Sequence, residues 1–256
     1  TASSNSVKIS GSTVQITEEA TYIISGTLNN GIILVDAEDT AKLQIVLNGV
    51  SITNESSAAL YILSADKVFV TLAEGTENTL ANGGSFIAID ENNIDAVVFS
   101  KQDLTFNGTG NLIITSPNGN GIVGKDDLVF TGGNYTINTS SHGIEANDSV
   151  RITGTTQITV DAGKDGIHCE NNDDTSLGFI YISAGTLNIE AEGDGISASA
   201  YMQIVDGTFS VLAGGGSENG SSQSSNTWGA FMGGDMPPGQ QSSSNTATTE
   251  DSTSMK

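Results

Sequence analysis

A repeat of about 22 residues, marked by Gly-Ile pairs, constrains the fold of this chain more than any other feature. The stretches that carry the pair are NGIVGKDDLVF (120–130), HGIEANDSVRI (142–152), DGIHCENNDDTSLGFIYI (165–182) and DGISASAYMQI (194–204). Successive isoleucines of these pairs are 22, 23 and 29 residues apart, and the longest step contains an insertion around NNDDTSLG. A fixed period indicates that one structural unit recurs along the chain.

Each Gly-Ile segment holds two strand-like stretches and is preceded by a third. The third stretches read GTGNLIIT, GGNYTINT, GTTQITVD and GTLNIEAE, with GTFSVLA as the last. Three short strands per unit are typical of a right-handed parallel β-helix, a solenoid in which each coil stacks about 4.8 Å above the last. The low aromatic content of 5% also suits strands and polar turns better than helices. We therefore predict an all-β protein, with weaker units at 31–39, 61–70 and 97–106.

Alignment of the units predicts three inward columns of side chains. The first contains Ile62, Val98, Ile122, Ile144, Ile167 and Ile196; the second Ser64, Ser100, Gly124, Ala146, Cys169 and Ala198; the third Val68, Leu104, Leu128, Val150, Ile180 and Met202. Cys169 therefore stands in a column of small residues. A buried thiol packs as a compact hydrophobe, so we favour a core role over the alternative of a reactive nucleophile.

The charge of the chain excludes two classes of partner. Eight basic and thirty acidic residues give a net charge of −22. This charge repels phosphate backbones and anionic lipid headgroups, so we expect neither nucleic acid nor a membrane as partner. No apolar run approaches the roughly 18 residues of a membrane span. The sequence starts at TASSNS, without Met or a signal peptide, so we expect a trimmed mature chain. We also expect a monomer.

Polar residues also stand in register beside the Gly-Ile pairs. Directly before the glycine come Asn120, His142, Asp165 and Asp194, and two residues after it come Val123, Glu145, His168 and Ser197. Strict alternation along a strand would place these two positions on opposite faces. A glycine at a strand corner can turn the chain, however, and then acids from both positions share one wall of the solenoid.

A column of acids requires a cation, because carboxylates stacked about 4.8 Å apart repel each other. Oxygen ligands from Asp, Glu, Asn and backbone carbonyls suit Ca²⁺, which accepts irregular coordination by 6 to 8 atoms. The predicted calcium ligands are Glu145, Asn147, Asp165, Glu170, Asp173, Asp174 and Asp194. The alternative is a solvated acidic face. A transition metal is less favoured, because the two histidines of the chain belong to different columns.

The stretch KDGIHCENNDD, with HGIEAND and GDGIS on flanking coils, resembles secreted bacterial carbohydrate-binding β-helix proteins that look like polysaccharide lyases. The resemblance covers about residues 5–215. It implies a secreted or cell-surface bacterial protein that contains calcium and binds cellulose and acidic pectic sugars. In the related ninth family of polysaccharide lyases, an Asp-Asp-Gly-Phe-Asp stretch and an Asp on the preceding coil hold calcium. Asp165 matches the acid before glycine, whereas Lys164 and His168 replace its two companions.

These replacements favour binding over catalysis. A lyase needs calcium to acidify the proton α to the uronate carboxylate and a nearby base to remove that proton. The coil beyond Asp165 contains neither Lys nor Arg, which leaves Lys164 as the candidate base. We therefore predict non-catalytic, calcium-dependent binding of polygalacturonate (pectin) and cellulose. Calcium-dependent β-elimination of the pectate-lyase type is the first alternative and a structural adhesin or stalk is the second.

Several outward side chains are candidate sugar contacts. Phe179 and Tyr201 occupy the same outward position on adjacent coils and could form a stacking platform for a pyranose ring. Lys101 and Lys125 also stand in register and could meet uronate carboxylates. His168 is a further candidate for sugar binding. Packing of the two rings under the tail and solvation of the two lysines are the alternatives to these roles.

Composition changes at about residue 214, where low-complexity sequence rich in Gly and Ser begins. We therefore predict a β-helix domain over 1–213 and a tail over 214–256. The tail contains an apolar island with Trp228, Phe231, Met232 and Met236. We expect this island to fold back over the open end of the solenoid, with a linker to another module or to the cell wall as the alternative.

Overall fold

The computed structural model describes residues 6–216, and every regular element in this range is a β-strand. The all-β prediction is therefore confirmed for the described residues. The strands are β1 Val7–Ser10, β2 Thr13–Ile16, β3 Thr21–Asn29, β4 Ile32–Asp36, β5 Lys42–Asn54, β6 Leu60–Ser64, β7 Lys67–Leu72, β8 Glu77–Asn82, β9 Ala96–Ser100, β10 Asp103–Gly108, β11 Asn111–Ser116, β12 Asn120–Gly124, β13 Asp127–Phe130, β14 Asn134–Thr139, β15 Ile144–Ala146, β16 Ser149–Ile152, β17 Gln157–Ala162, β18 Ile167–Cys169, β19 Phe179–Ile182, β20 Thr186–Ala191, β21 Ile196–Ala198, β22 Met202–Ile204 and β23 Thr208–Ala213.

From β6 onward, strands pair in parallel with the strand three places further along the chain. The first strands of successive units form a nine-stranded sheet in the order β1-β2-β4-β6-β9-β12-β15-β18-β21, which we call the first sheet. The second and third strands form a fourteen-stranded sheet. They are joined by the long strand β5, which pairs with β7 through its first half and with β8 through its second half. The strands therefore recur in groups of three, as the repeat predicts.

Apolar side chains from all three strand positions belong to one core cluster. Ile122, Ile144 and Ile167 pair directly across the first sheet and are fully buried. Such β-branched residues pack well against identical neighbours on a pleated surface. Aromatic rings fill one part of the same core, where Phe106 and Phe130 stack with centroids 5.1 Å apart. Burial of these columns is the main favourable contribution to the stability of the fold.

The predicted inward columns are confirmed over most of their length. The third column has the predicted register throughout. The first and second columns have it from Val98 and Ser100 onward. Each residue of these columns lies directly beside its counterpart on the neighbouring strand. Because the two side chains contact each other, apolar and small residues recur at the same positions.

The upstream end of the first and second columns was predicted in the wrong register. Ser100 pairs with Ile62 and not, as predicted, with Ser64. Ser64 pairs with Asp36 of β4, on the other side of β6. Ile62 precedes Val68 by six residues, whereas Ser100 precedes Leu104, the partner of Val68, by four. The chain from Ile62 to Val68 is therefore two residues longer than the chain between their paired partners, Ser100 and Leu104. An alignment without gaps shifts the upstream strand by these two residues.

The glycine of the Gly-Ile pair is required by close packing at the start of each first-sheet strand. A Cβ atom on Gly143 would lie 2.5 Å from Cγ1 of Val160 and 2.6 Å from the carbonyl oxygen of Gly166. A Cβ on Gly121 would lie 2.5 Å from the carbonyl oxygen of Gly143. The missing side chain therefore lets the strand begin against its neighbours.

Replacement of Gly143 by Ala should destabilise the protein by about 1–3 kcal/mol, because the new methyl group overlaps backbone and a β-branched side chain. For a domain of this size, this loss lowers the melting temperature by roughly 2–4 °C per kcal/mol. Gly83→Ala is the matched control, since its Cβ would meet Thr53 at an ordinary 3.4 Å. Equal melting temperatures of the two variants, measured by circular dichroism, would contradict the packing role of Gly143.

Apolar side chains remain exposed at the end of the described range. They are Tyr201, Met202, Ile204, Val205, Val211 and Leu212. The apolar island expected to cover this end lies at residues 228–236, outside the described residues, so its role stays a prediction. Within residues 6–216, no helix could span a membrane.

Candidate functional site

The outer face of the first sheet carries a column of side chains that changes from apolar to polar. In β-pair register it contains Leu34, Tyr61, Phe99, Val123, Glu145, His168 and Ser197. Residues 83–95, between β8 and β9, contribute to a second buried cluster over the apolar half, in which Ile94 packs with Tyr61. The Tyr61 hydroxyl donates a hydrogen bond to Asp90 at 2.6 Å. Glu145 and the residues after it belong to the polar half, outside this cluster.

The residues before the glycines form a ladder of hydrogen bonds across successive units. The His142 N–H donates to Asn120 Oδ1 at 2.9 Å, and the Asp165 N–H is 3.3 Å from His142 Nδ1. The Asp194 N–H donates to Asp165 Oδ1 at 2.8 Å. Each side chain therefore accepts from the backbone of the next unit. This ladder fixes the orientation of His142 and Asp165 beside the first sheet.

His142, Asp165 and His168 converge at the polar half of the column. Asp165 Oδ2 lies 2.9 Å from His168 Nδ1 and 3.6 Å from His142 Nδ1. The two imidazole rings stack with centroids 4.8 Å apart. All three side chains are about four-fifths buried, and one ligand atom from each lies within 4.8 Å of the others. The two histidines belong to different columns, as the sequence indicates, but both columns lie on one side of the glycine corner, so their rings are in contact.

His142 is held as a neutral imidazole. Burial is the main cause that lowers the pKa of His142, and it outweighs the opposing effect of the Glu145 charge. Its Nδ1 also faces the backbone N–H of Asp165, which requires a lone pair on that nitrogen. The proton of the neutral ring is therefore on Nε2, and the Nδ1 lone pair points toward Asp165.

A polar depression of about 260 Å³ lies beside this cluster. Its lining residues are Glu145, Ala146, Asn147, His168, Glu170, Asn171, Asn172 and Asp173. The insertion NNDDTSLG supplies part of the wall, and its amide groups fix the local turn: Asn171 Oδ1 accepts from the N–H groups of Asp173 and Asp174. The depression therefore presents carboxylate and amide oxygens together, with one imidazole at its edge.

The seven predicted calcium ligands separate into one group of four and three single residues. Glu145, Asn147, Glu170 and Asp173 line the depression. Asp165 lies with the histidines instead. Asp174 uses Oδ1 to accept from Ser176 within the insertion, and Asp194 is exposed with its backbone N–H on Asp165.

The lysines predicted to contact sugar or act as a base have different surroundings. Lys125 Nζ lies 3.7 Å from Glu145 Oε1 and 5.7 Å from the centroid of the Phe99 ring, so it stands beside the depression. Lys101 occupies the corresponding position one unit earlier, where its backbone N–H donates to Ile62. Lys164 is exposed, and its backbone N–H donates to the carbonyl of Ser141.

The aromatic pair stacks upon itself. Phe179 and Tyr201 have parallel rings, 2° apart in orientation, with centroids separated by 4.9 Å. The guanidinium of Arg151 lies 5.2 Å from the centroid of the Phe179 ring. Since the Phe179 faces are engaged in this way, a pyranose ring has better access to Tyr201, which is 51% exposed. The pair therefore does not present two open faces side by side.

Cys169 has no role in nucleophilic chemistry. Its side chain is fully buried, and burial raises the pKa of the thiol to about 12. At neutral pH the sulfur is thus a thiol inside the core, as its place in the column of small residues predicts.

His142 was not among the predicted site residues. The sequence signal was nevertheless present, because His142 shares with Asp165 the position directly before the glycine. The repeat places these two residues on adjacent units. The repeat does not give the angle of the corner. This angle decides whether the side chain before a glycine contacts the side chain two residues after the next glycine.

A crowded group of acids adjoins the site at the corner after Lys125. Burial raises the pKa of Asp126 to about 6, with further contributions from the charges of Asp103 and Asp148. Because this pKa is raised, the stability that protonated Asp126 contributes is fully present below about pH 4 and is lost as pH rises through about 6.

Asp126→Asn should therefore stabilise the protein at pH 7.5 by about 1 kcal/mol, a value reduced because the side chain is largely solvated. The gain should vanish at pH 4, where the native carboxyl is protonated. Thermal melts at both pH values, in chelator, check this. A gain of the same size at pH 4 and pH 7.5 would exclude like-charge repulsion as its source.

The fold and site define an all-β protein of stacked parallel strands, with a depression rich in oxygen donors on one outer face. A family model described as carbohydrate-binding domain-containing protein matches residues 10–256, and the chain belongs to this family. A carbohydrate-binding domain-containing protein of Acetivibrio thermocellus is 38% identical over 211 residues, which cover 82% of this chain and 73% of that protein.

A solved structure shares the fold. It is a gadolinium derivative of the polysaccharide lyase-like protein from C. thermocellum, with a TM-score of 0.81 and 36% identity. The match covers 84% of this chain and 88% of that one. The predicted resemblance to carbohydrate-binding, lyase-like proteins is therefore confirmed.

Proposed function

We propose that this protein binds cell-wall polysaccharide without cleaving it, and that acidic sugars bind through calcium at the depression. The observation that carries the proposal is the group of oxygen donors from Glu145, Asn147, Glu170 and Asp173 around one opening on the outer face. The family description, carbohydrate-binding domain, supports a polysaccharide as the partner.

The residues of the depression fit calcium by their chemistry. Carboxylate and amide oxygens are the ligands that this hard cation prefers, and its tolerance of irregular geometry suits a shallow, open site. The solved relative is a gadolinium derivative, and gadolinium is also a hard cation. Asp165 fits calcium less well, because its neighbours in space are two imidazoles.

Calcium would also offset the electrostatic repulsion between this acidic protein and an acidic polysaccharide. A chain of net charge −22 repels polygalacturonate, which is itself a polyanion. A calcium ion held by Glu145 and Asp173 can bridge to a uronate carboxylate. Lys125, which stands 3.7 Å from Glu145, can pair with the same carboxylate.

The position of the basic groups supports binding without cleavage. A lyase base must reach the α-proton of the bound uronate. Lys164 is exposed and is not among the residues that line the depression, while Lys125 is paired with Glu145. Calcium-dependent β-elimination is the second candidate function, because the lyase-like fold of the relative permits it.

For the architecture, we interpret the parallel pairing at a step of three strands as a right-handed parallel β-helix. Its long lateral face suits an extended polymer. Neutral cellulose would then depend on aromatic contact, for which Tyr201 is the more accessible ring. We therefore propose that the protein acts outside the cell or at its surface.

The experiment is a binding assay with polygalacturonate and cellulose, each in calcium and in chelator, with ultraviolet detection of unsaturated product. We expect polygalacturonate to bind in calcium only, cellulose to bind in both, and no product to form. Equal binding of polygalacturonate in chelator contradicts calcium bridging. Product that accumulates with the native chain, and not with Lys164→Ala, establishes the lyase instead.

A further inference from the structure

We propose that His142, Asp165 and His168 form a transition-metal site, with zinc as the best-fitting ion, that joins two adjacent units of the fold. The site is distinct from the calcium depression by its donors and does not depend on the proposed function. His142 precedes β15, whereas Asp165 and His168 lie at the start of the next unit.

The separations of the donor atoms suit a small ion. Zinc lies about 2.0–2.1 Å from imidazole nitrogen and carboxylate oxygen, so donors around a tetrahedral ion are roughly 3.3 Å apart. The two measured separations from Asp165 Oδ2, 2.9 Å to His168 Nδ1 and 3.6 Å to His142 Nδ1, lie on either side of this value. One ligand atom from each of the three residues lies within 4.8 Å of the others. An ion at His142 Nδ1 would replace the Asp165 N–H, 3.3 Å away, as the partner of that lone pair.

The second sphere already orients the donors. Asp165 Oδ1 is engaged by the Asp194 N–H at 2.8 Å, which leaves Oδ2 free to bind. Glu170 Oε2 lies 3.4 Å from His168 Nε2 and can accept a hydrogen bond from that nitrogen when an ion occupies the Nδ1 lone pair. A carboxylate behind a metal-binding histidine is the usual arrangement at zinc sites.

One polar atom of the cluster faces a carboxylate without an aligned hydrogen bond. His168 Nδ1 is buried and makes no hydrogen bond with any residue that the structure describes, although Asp165 Oδ2 is 2.9 Å away. A buried nitrogen in this state is costly unless it binds something. An ion between Nδ1 and the carboxylate removes this cost.

The donor set selects against calcium. Calcium takes 6 to 8 oxygen ligands, whereas only one of these three side chains offers oxygen. Two imidazoles and one carboxylate are a common set for zinc and other late transition metals. The resemblance to polysaccharide lyases implies calcium at Asp165, and the histidines present here do not fit that ion. Three protein ligands also leave a coordination position for water or a sugar oxygen.

The test uses the full chain without a histidine tag, stripped of metal, and no polysaccharide. Titration with Co²⁺ as a spectroscopic probe should give visible absorption that saturates at one ion per chain and is lost when Zn²⁺ is added. Isothermal titration should show His142→Gln and His168→Gln weakening zinc by more than about 100-fold. Glu170→Gln, which keeps all three ligands, should weaken it by about 10- to 100-fold.

Asp194→Asn is the matched control, because Asp194 stands in the same column and contributes only its backbone N–H to Asp165. It should bind zinc as the native chain does, and excess calcium should not displace the ion. The proposal is overturned if Co²⁺ gives no saturable absorption, if both histidine variants bind zinc with native affinity, or if calcium competes equally. These results leave the polysaccharide assay unaffected, so the two proposals fail independently.

Discussion

Ile144→Asp should prevent the protein from folding at room temperature or reduce its melting temperature drastically. Ile144 is fully buried and pairs in register with Ile122 and Ile167, so an aspartate there places a charge between two apolar neighbours without a partner. Such a substitution exceeds the loss of about 4–5 kcal/mol that marks the most damaging single changes. The total stability of a domain is commonly 5–15 kcal/mol.

The measurement is far-ultraviolet circular dichroism with limited proteolysis, which reports whether neighbouring units open together. Thr136→Asp is the matched control. Thr136 is exposed on β14 between two buried residues, and its replacement introduces the same charge. It should melt within a few degrees of the native chain. A soluble Ile144→Asp variant with native melting behaviour is incompatible with the inward column described here.

The paired substitution Glu145→Gln and Asp173→Asn should weaken calcium-dependent binding of polygalacturonate by about 100-fold or more. Calcium affinity spans several orders of magnitude with the number of charged ligands, and this variant removes two of the three carboxylates that line the depression. The amides keep the size and hydrogen-bonding capacity of the side chains. Cellulose binding should remain, because a neutral polymer does not require the ion.

Asp161→Asn combined with Glu190→Gln is the control for charge. These two acids are exposed, pair in register on β17 and β20, and lie outside the depression. If the control weakens polygalacturonate binding as much as the paired substitution, the effect is one of overall charge and the depression is not the binding site. Loss of cellulose binding in the paired substitution would point to a disturbed fold, which the melting curve detects.

The repeat alone predicted the strands and most of their register. Each unit encodes three strands, and the isoleucines after the glycines predicted the first-sheet column from Val98 to Ile196. Register is encoded this strongly because a shift by one residue would expose every apolar side chain of a strand. The error at Ile62 arose where the chain to the next strand is two residues longer than in the following unit, and such a difference leaves no periodic signal.

The outer face was less predictable. Tyr61, Phe99 and Val123 belong to the same column as Glu145, and sequence analysis did not separate the two halves. Residues 83–95 distinguish the two halves of the column, because this segment packs over the apolar half and not over the polar half. The repeat pattern does not predict where such a loop between two strands packs, because its position depends on tertiary contacts.

By itself, the sequence determined the parallel three-strand unit, the buried columns with Cys169 among them, and the acidic register beside the glycines. Only the tertiary structure brought His142 to His168 and Asp165, and showed that Phe179 and Tyr201, adjacent by the repeat, stack on each other. The physical reason is that a period fixes which residues recur at one level of the sheet. The corner angle and the side-chain rotamers, which arise from packing across units, decide which of these residues touch.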